Sequence, residues 1–163
     1  MISEFDFPDG PRLIAPARAA ARHIAELKMR ARRLRWPVIY VNDAPGVWES
    51  NRVEFLQRCL APGARGRSIA QLLAPGQRDY FMFKPRHSVF FETALHSVLS
   101  RLRTRRLVLT GTTAHQCVLF TAMDAHIRGY QVVVPKDCVA SPRRTQTSHA
   151  IAILADAVDA TIW

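Results

Sequence analysis

The 163 residues carry a formal charge of +10 and are 48% hydrophobic, a length and balance suited to one globular domain, residues 1–163, with a core of its own. No run reaches the roughly 18 apolar residues that span a bilayer, and no signal-type apolar stretch stands near the N-terminus. The charge does not point to nucleic acid: only three of the 23 basic residues are lysine, no nucleic-acid motif accompanies the arginines, and aromatics are not interleaved with them.

Met1 to Leu13 reads as a loop from its Pro-Asp-Gly-Pro content. Ala17 to Arg35 follows as an amphipathic helix, with Ala20, Ile24, Leu27, Ala31 and Leu34 on one face and Arg18, Arg22, Glu26 and Arg30 on another. Pro37 opens a strand over Val38–Val41, with Asn42 and Asp43 at its C-terminal end. Ligands of open α/β sheets bind beyond that end of the strands. Asn42, Asp43 and Trp48 are therefore candidate pocket walls, although an Asx turn accounts for Asn42 and Asp43 equally well. A helix over Arg52–Leu60, a break over Ala61–Gly66 and a short turn over Ser68–Leu73 lead to a strand at Tyr80–Phe83. That strand delivers Lys84. A buried ammonium there needs an anionic partner, because an unpaired charge in an apolar setting is costly; a lysine emerging into solvent is the plainer alternative.

Thr93 is placed to cap a helix with Leu95, Val98, Leu99 and Leu102 inward. Leu107–Thr110 reads as a strand buried on both faces, ended by Gly111 and followed by the polar turn Thr112 to Gln116. Val118, Ala122 and Ala125 then recur at helical spacing. Gly129 stops that helix, and Gln131–Val134 is a further buried strand closed by Pro135. Beyond the loop Pro142–Arg144, Thr147 or Ser148 starts a last helix with Ile151, Leu154 and Ala155 inward, and Ala160–Ile162 ends the sheet. Five strands alternating with helices give a three-layer α/β/α, Rossmann-like sandwich around a mainly parallel sheet.

Cys117 falls at the start of the helix that follows Gly111. Free N–H groups and partial positive charge at a helix start favour a thiolate, and can lower the ordinary cysteine pKa of roughly 8.5 into the nucleophilic range. A small buried thiol is an equal reading of the position alone. The three cysteines, Cys59, Cys117 and Cys138, form no CxxC pair and are odd in number, which suits a reducing cytoplasm.

The run Thr110-Gly111-Thr112-Thr113-Ala114-His115-Gln116-Cys117-Val118, then Thr121-Ala122-Met123-Asp124-Ala125 and Gly129-Tyr130, resembles the nucleophile signature of the isochorismatase-like cysteine hydrolases. Lys84 with Ser88-Val89-Phe90, and Asp137-Cys138-Val139-Ala140, fit the same pattern, and the resemblance extends over nearly the whole chain. It implies the isochorismatase-like hydrolase fold without its first strand, Cys117 as nucleophile and Lys84 as a triad member. It also implies a non-proline cis peptide near Thr112 and Thr113, whose N–H groups would join that of Cys117 around an oxyanion. Ser88, His115 and Gln116 would join Asn42 and Trp48 around a small-molecule substrate of amide (C–N) type. Isochorismatases proper cleave a vinyl ether instead, so the resemblance does not fix the bond. A homo-oligomer, dimer or larger, is implied, and no cofactor. Nicotinamidases of the family bind a metal through Asp-x-His and a further His; no histidine stands between Asn42 and Lys84, so no metal site is expected.

Met1-Ile2-Ser3-Glu4-Phe5 resembles the family segment that directly follows strand one. The match puts the family's catalytic aspartate one place before Met1 and its strand upstream of that. The favoured expectation is a longer natural protein that carries both. The alternative is a catalytically inactive relative, binding a small molecule or acting as a scaffold.

Overall fold

The computed structural model describes residues 1–43 and 51–163. Among these, six α-helices alternate with seven short strands, and every strand pairing is parallel. The first helix, α1, spans Gly10–Arg33 and so begins well ahead of Ala17. Pro11 sits in its first turn, where a helix does not need the missing N–H. The Pro-Asp-Gly-Pro run that reads as a loop therefore launches the helix. The segment read as a short turn forms helix α3, Arg67–Leu72, after α2, Arg52–Leu60.

Strand β1 (Ile39–Asp43) pairs with β2 (Tyr80–Lys84) in a register that runs from Ile39 opposite Tyr80 to Asp43 opposite Lys84. A second ladder has the order β3-β5-β7, built from Arg106–Val108, Gln131–Val134 and Thr161–Ile162. Two further strands, β4 (Gly111–Thr112) and β6 (Val139–Ala140), form a small ladder of their own. Among the described residues no ladder joins β1 to β3. The strand expected over Leu107–Thr110 is thus split in two, with Gly111 at φ +122° where the chain turns from β3 into β4. It is also less buried than expected. Leu107 and Val108 are half-buried, because β3 has a ladder partner on one side only.

The strands' period of two sorts their side chains onto two cores. Ile39, Met82, Leu107 and Leu109 pack with Leu95 and Leu99 of α4 (Leu95–Arg101), Ala122 and Ala125 of α5 (Leu119–Ile127), and Ala150 and Leu154 of α6 (Arg144–Ala157). Tyr40, Phe81 and Phe83 point the other way, into a core of Ile2, Phe5, Leu13, Phe55, Ile69 and Leu73. Helices cover both faces, which makes three layers. Small residues at 122 and 125 let α5 lie close on the sheet, and Gly129 ends it. At φ +80° it lets its own N–H bond the carbonyl of His126 (2.9 Å) and that of Tyr130 bond Ala125 (3.0 Å), closing the helix end. None of the described helices is long and apolar enough to cross a membrane.

Candidate active site

The register of β1 on β2 places Asp43 and Lys84 side by side at the C-terminal ends of neighbouring strands. Lys84 is 3% exposed. Its ammonium has three protons and three acceptors: the Asp43 carboxylate, the Arg86 carbonyl at 2.8 Å and the Cys117 sulfur at 3.5 Å. The buried cation therefore has its counter-ion, supplied by a side chain that is itself 69% exposed. Asp43 stays hydrated on its open side while neutralising Lys84 on the other.

Cys117 arrives from the opposite direction. The Thr112–Thr113 peptide is cis, and the chain then enters one wide π-helical turn, Ala114–Val118, before α5. The Val118 N–H bonds the Thr113 carbonyl at 3.1 Å, five residues back. Single wide turns of this kind recur at functional sites. Here it puts Cys117 in the first turn of a helix and half-exposed, while Cys59 and Cys138 are buried. Burial pushes both of those thiols up, to about 11, so the accessible sulfur is the one beside a cation.

The remaining candidates divide. The Thr113 hydroxyl bonds the Gln116 side-chain oxygen at 3.2 Å, bracing the π turn. His115 meets the hydroxyl of Ser141 twice, through its ring Nδ1 at 2.8 Å and its backbone N–H at 3.4 Å. Burial lowers the pKa of its imidazole below 6.5. Asn42 is buried and its amide donates to the Ile2 carbonyl, tying β1 to the N-terminal segment. Ser88 is buried too, and its hydroxyl accepts the Phe90 N–H at 3.2 Å. Trp48 lies outside the described residues. The Met1 side chain approaches Gly111. Among the described residues no three His, Cys, Asp or Glu side chains come together to hold a metal ion.

One pairing and one residue escaped sequence reasoning. Asp43 was legible as a strand-end residue but not as the partner of Lys84, since their pairing depends on strand register. Ser141 carries no sequence signal; only the return of the chain past β6 brings it against His115.

Comparison with known proteins places the chain in a family. The family description "Isochorismatase domain" matches residues 2–162. The isochorismatase family protein YaaI of Bacillus subtilis is 39% identical over 162 residues, covering 99% of this chain and 88% of its own. The crystal structure of an isochorismatase family protein from Desulfovibrio vulgaris superposes with a TM-score of 0.80 at 26% identity, over 99% of this chain and 88% of that one. N-carbamoylsarcosine amidase from Thermoplasma acidophilum superposes with a TM-score of 0.72 at 26% identity, over 91% and 83% of the two chains. With this match from end to end, the chain belongs to the isochorismatase family and has the α/β fold of its hydrolases.

Proposed function

We propose that the protein is a cysteine hydrolase acting on a small amide-type C–N substrate through Cys117. The observation that carries this reading is the 3.5 Å contact between the Lys84 ammonium and the Cys117 sulfur. A buried cation in contact favours the thiolate. The thiolate attacks the substrate carbonyl carbon; the C–S bond forms and the π electrons move to oxygen. N–H groups of the first helical turn and of the Thr112–Thr113 segment hold that oxyanion. The C–N bond breaks, the nitrogen leaves with a proton, and water then releases the acyl group from sulfur. His115, Gln116, Asn42, Ser88 and Trp48 are proposed to shape the pocket. An amidase among the structural neighbours supports the choice of a C–N bond.

The molecule is further proposed to work as a homo-oligomer. Phe120, Met123 and Ile127 form an exposed apolar stripe along α5, with Ile127 at 78% exposure, and light scattering on the purified chain tests this.

A panel of small amides and ureides, assayed with wild type and Cys117→Ala, tests the activity. Turnover that vanishes in Cys117→Ala is the expected result. Ligand-induced stabilisation without any turnover would replace the hydrolase reading with a binding role.

A further inference from the structure

Every strand pairing is parallel, and Lys84 at the end of β2 meets Cys117 beyond β4. The C-terminal ends of the strands therefore gather at the candidate site, and their entries share the opposite end. Charge is not spread evenly between the two. Of the 23 basic residues, ten are arginines in the four segments that lead into β1, β2, β3 and β5: four in 30–36, one in 76–79, four in 101–106 and one in 128–130. These segments hold a single acid, Asp79, which is already paired with Arg32. The entry to β7 carries Asp159 instead. Among the described residues no carboxylate comes within ion-pair distance of the other nine arginines.

The first of these segments adds apolar surface. Leu34 and Trp36 are exposed, Trp36 by 48%, and Met29 is exposed in the turn before them. Their backbone is fixed rather than loose. Arg35 takes φ +56°, and the N–H groups of Arg35 and Trp36 bond back to the carbonyls of Arg32 at 3.0 Å and Ala31 at 2.8 Å. Trp36 thus stands at the blunt end of α1, flanked in sequence by Arg33 and Arg35. Tyr80, also exposed, stands at the same ladder entry, where its N–H bonds the Val38 carbonyl at 2.9 Å.

We propose that this end of the sheet is a docking face for an anionic lipid bilayer, which it touches without crossing. Arginine guanidinium groups pair with headgroup phosphates through bidentate bonds. Aliphatic side chains and tryptophan bury at the boundary between headgroups and acyl chains. Such a bilayer offers both partners at one surface. A nucleic acid offers phosphate, but nothing for Met29 and Leu34. Presenting Trp36 from a fixed helix end lowers the ordering cost of docking. The candidate site, at the other end of the strands, then faces the water from which a small substrate comes.

Co-sedimentation of the full chain with vesicles tests this. Vesicles of phosphatidylcholine with phosphatidylglycerol should retain the protein at low salt, and phosphatidylcholine alone should not. Retention should fall as salt rises and screens the charges. Arg33→Gln and Arg35→Gln should each weaken binding about fivefold. Leu34→Ser with Trp36→Ser should weaken it at least as much. Both positions are exposed, so melting temperatures should stay near wild type. Vesicles should also shift tryptophan fluorescence to the blue in wild type but not in Trp36→Phe. Absence of binding to phosphatidylglycerol vesicles overturns the proposal, and so does a wild-type spectrum that does not move. Binding that Leu34→Ser with Trp36→Ser leaves unchanged overturns it too, since that is adhesion of a basic protein to any polyanion. Release from the vesicles by duplex DNA at equal phosphate concentration would make the face a nucleic-acid surface instead.

Discussion

The hydroxyl of Ser141, 1% exposed, lies 2.8 Å from the ring Nδ1 of His115 and 3.4 Å from the backbone N–H of the same residue. The hydroxyl accepts the backbone N–H and pairs with the ring nitrogen, so backbone and side chain of His115 share one partner. One small side chain thus clamps the turn that carries Cys117. Ser141→Ala leaves both groups without a partner and should cost about 1–3 kcal/mol in urea unfolding.

His115 also carries a pH dependence. Burial lowers its imidazole pKa, opposed by the charge of Asp9 and assisted by that of His87. The unfolded state therefore binds a proton more readily than the folded one, so this contribution to stability is present above about 6.5 and is lost as pH falls through the lower folded value. Unfolding at pH 7.5 and 5.5 should show a larger loss for wild type than for His115→Asn, and equal losses would contradict the assignment.

Asp79 fastens α1 to the turn before β2. Its carboxylate accepts from the Gly76 N–H and from Arg32, both at 2.8 Å, with Lys28 at 3.5 Å. Burial pushes its carboxyl up, but the Gly76 N–H, Arg32 and Lys28 outweigh that and hold it below 3.8. Its stabilisation is present above that value and lost as pH falls through the lower folded one. Asp79→Asn leaves Lys28, itself mostly buried, short of its counter-charge, and should cost about 2–4 kcal/mol at pH 7.

Lys84→Met separates stability from chemistry. Methionine fills similar space without a charge to maintain, so the melting temperature should hold or rise. Activity should fall at least about 10²-fold, the range of acid–base assistance. A variant that melts early and stays active would make Lys84 a structural residue.

Gly129→Ala isolates a backbone cost. A Cβ there meets nothing within 4 Å, so the penalty comes from φ +80° alone, about 1 kcal/mol. Gly111→Ala should cost more, because a Cβ at φ +122° also lies 3.1 Å from the Met1 side chain. Thermal melts of the two variants give the order.

Much of this was legible in the residues. Gly129 and Pro135 bracket β5 as their chemistry dictates, and Lys84 stands at the end of the strand read over Tyr80–Phe83. Helix α1 was misread because Pro-Asp-Gly-Pro is loop chemistry until the helix supplies a first turn that tolerates proline. The break between Val108 and Gly111 was hidden inside one apolar run, since periodicity does not report where a ladder partner ends. Asp43 and Ser141 depend on register and on chain return, which are properties of tertiary packing.

The separation between the β1–β2 ladder and the β3-β5-β7 ladder has a dynamic consequence. Asp43 and Lys84 ride on the first, and Cys117 follows β4, in the small ladder that the chain enters on leaving β3. Side chains, rather than a shared run of backbone bonds, hold the halves together among the described residues. A breathing motion between them is expected to cost less than global unfolding and to part sulfur from ammonium. A molecule bound across both would act as a splint, slowing amide hydrogen exchange along β1 and β3 together.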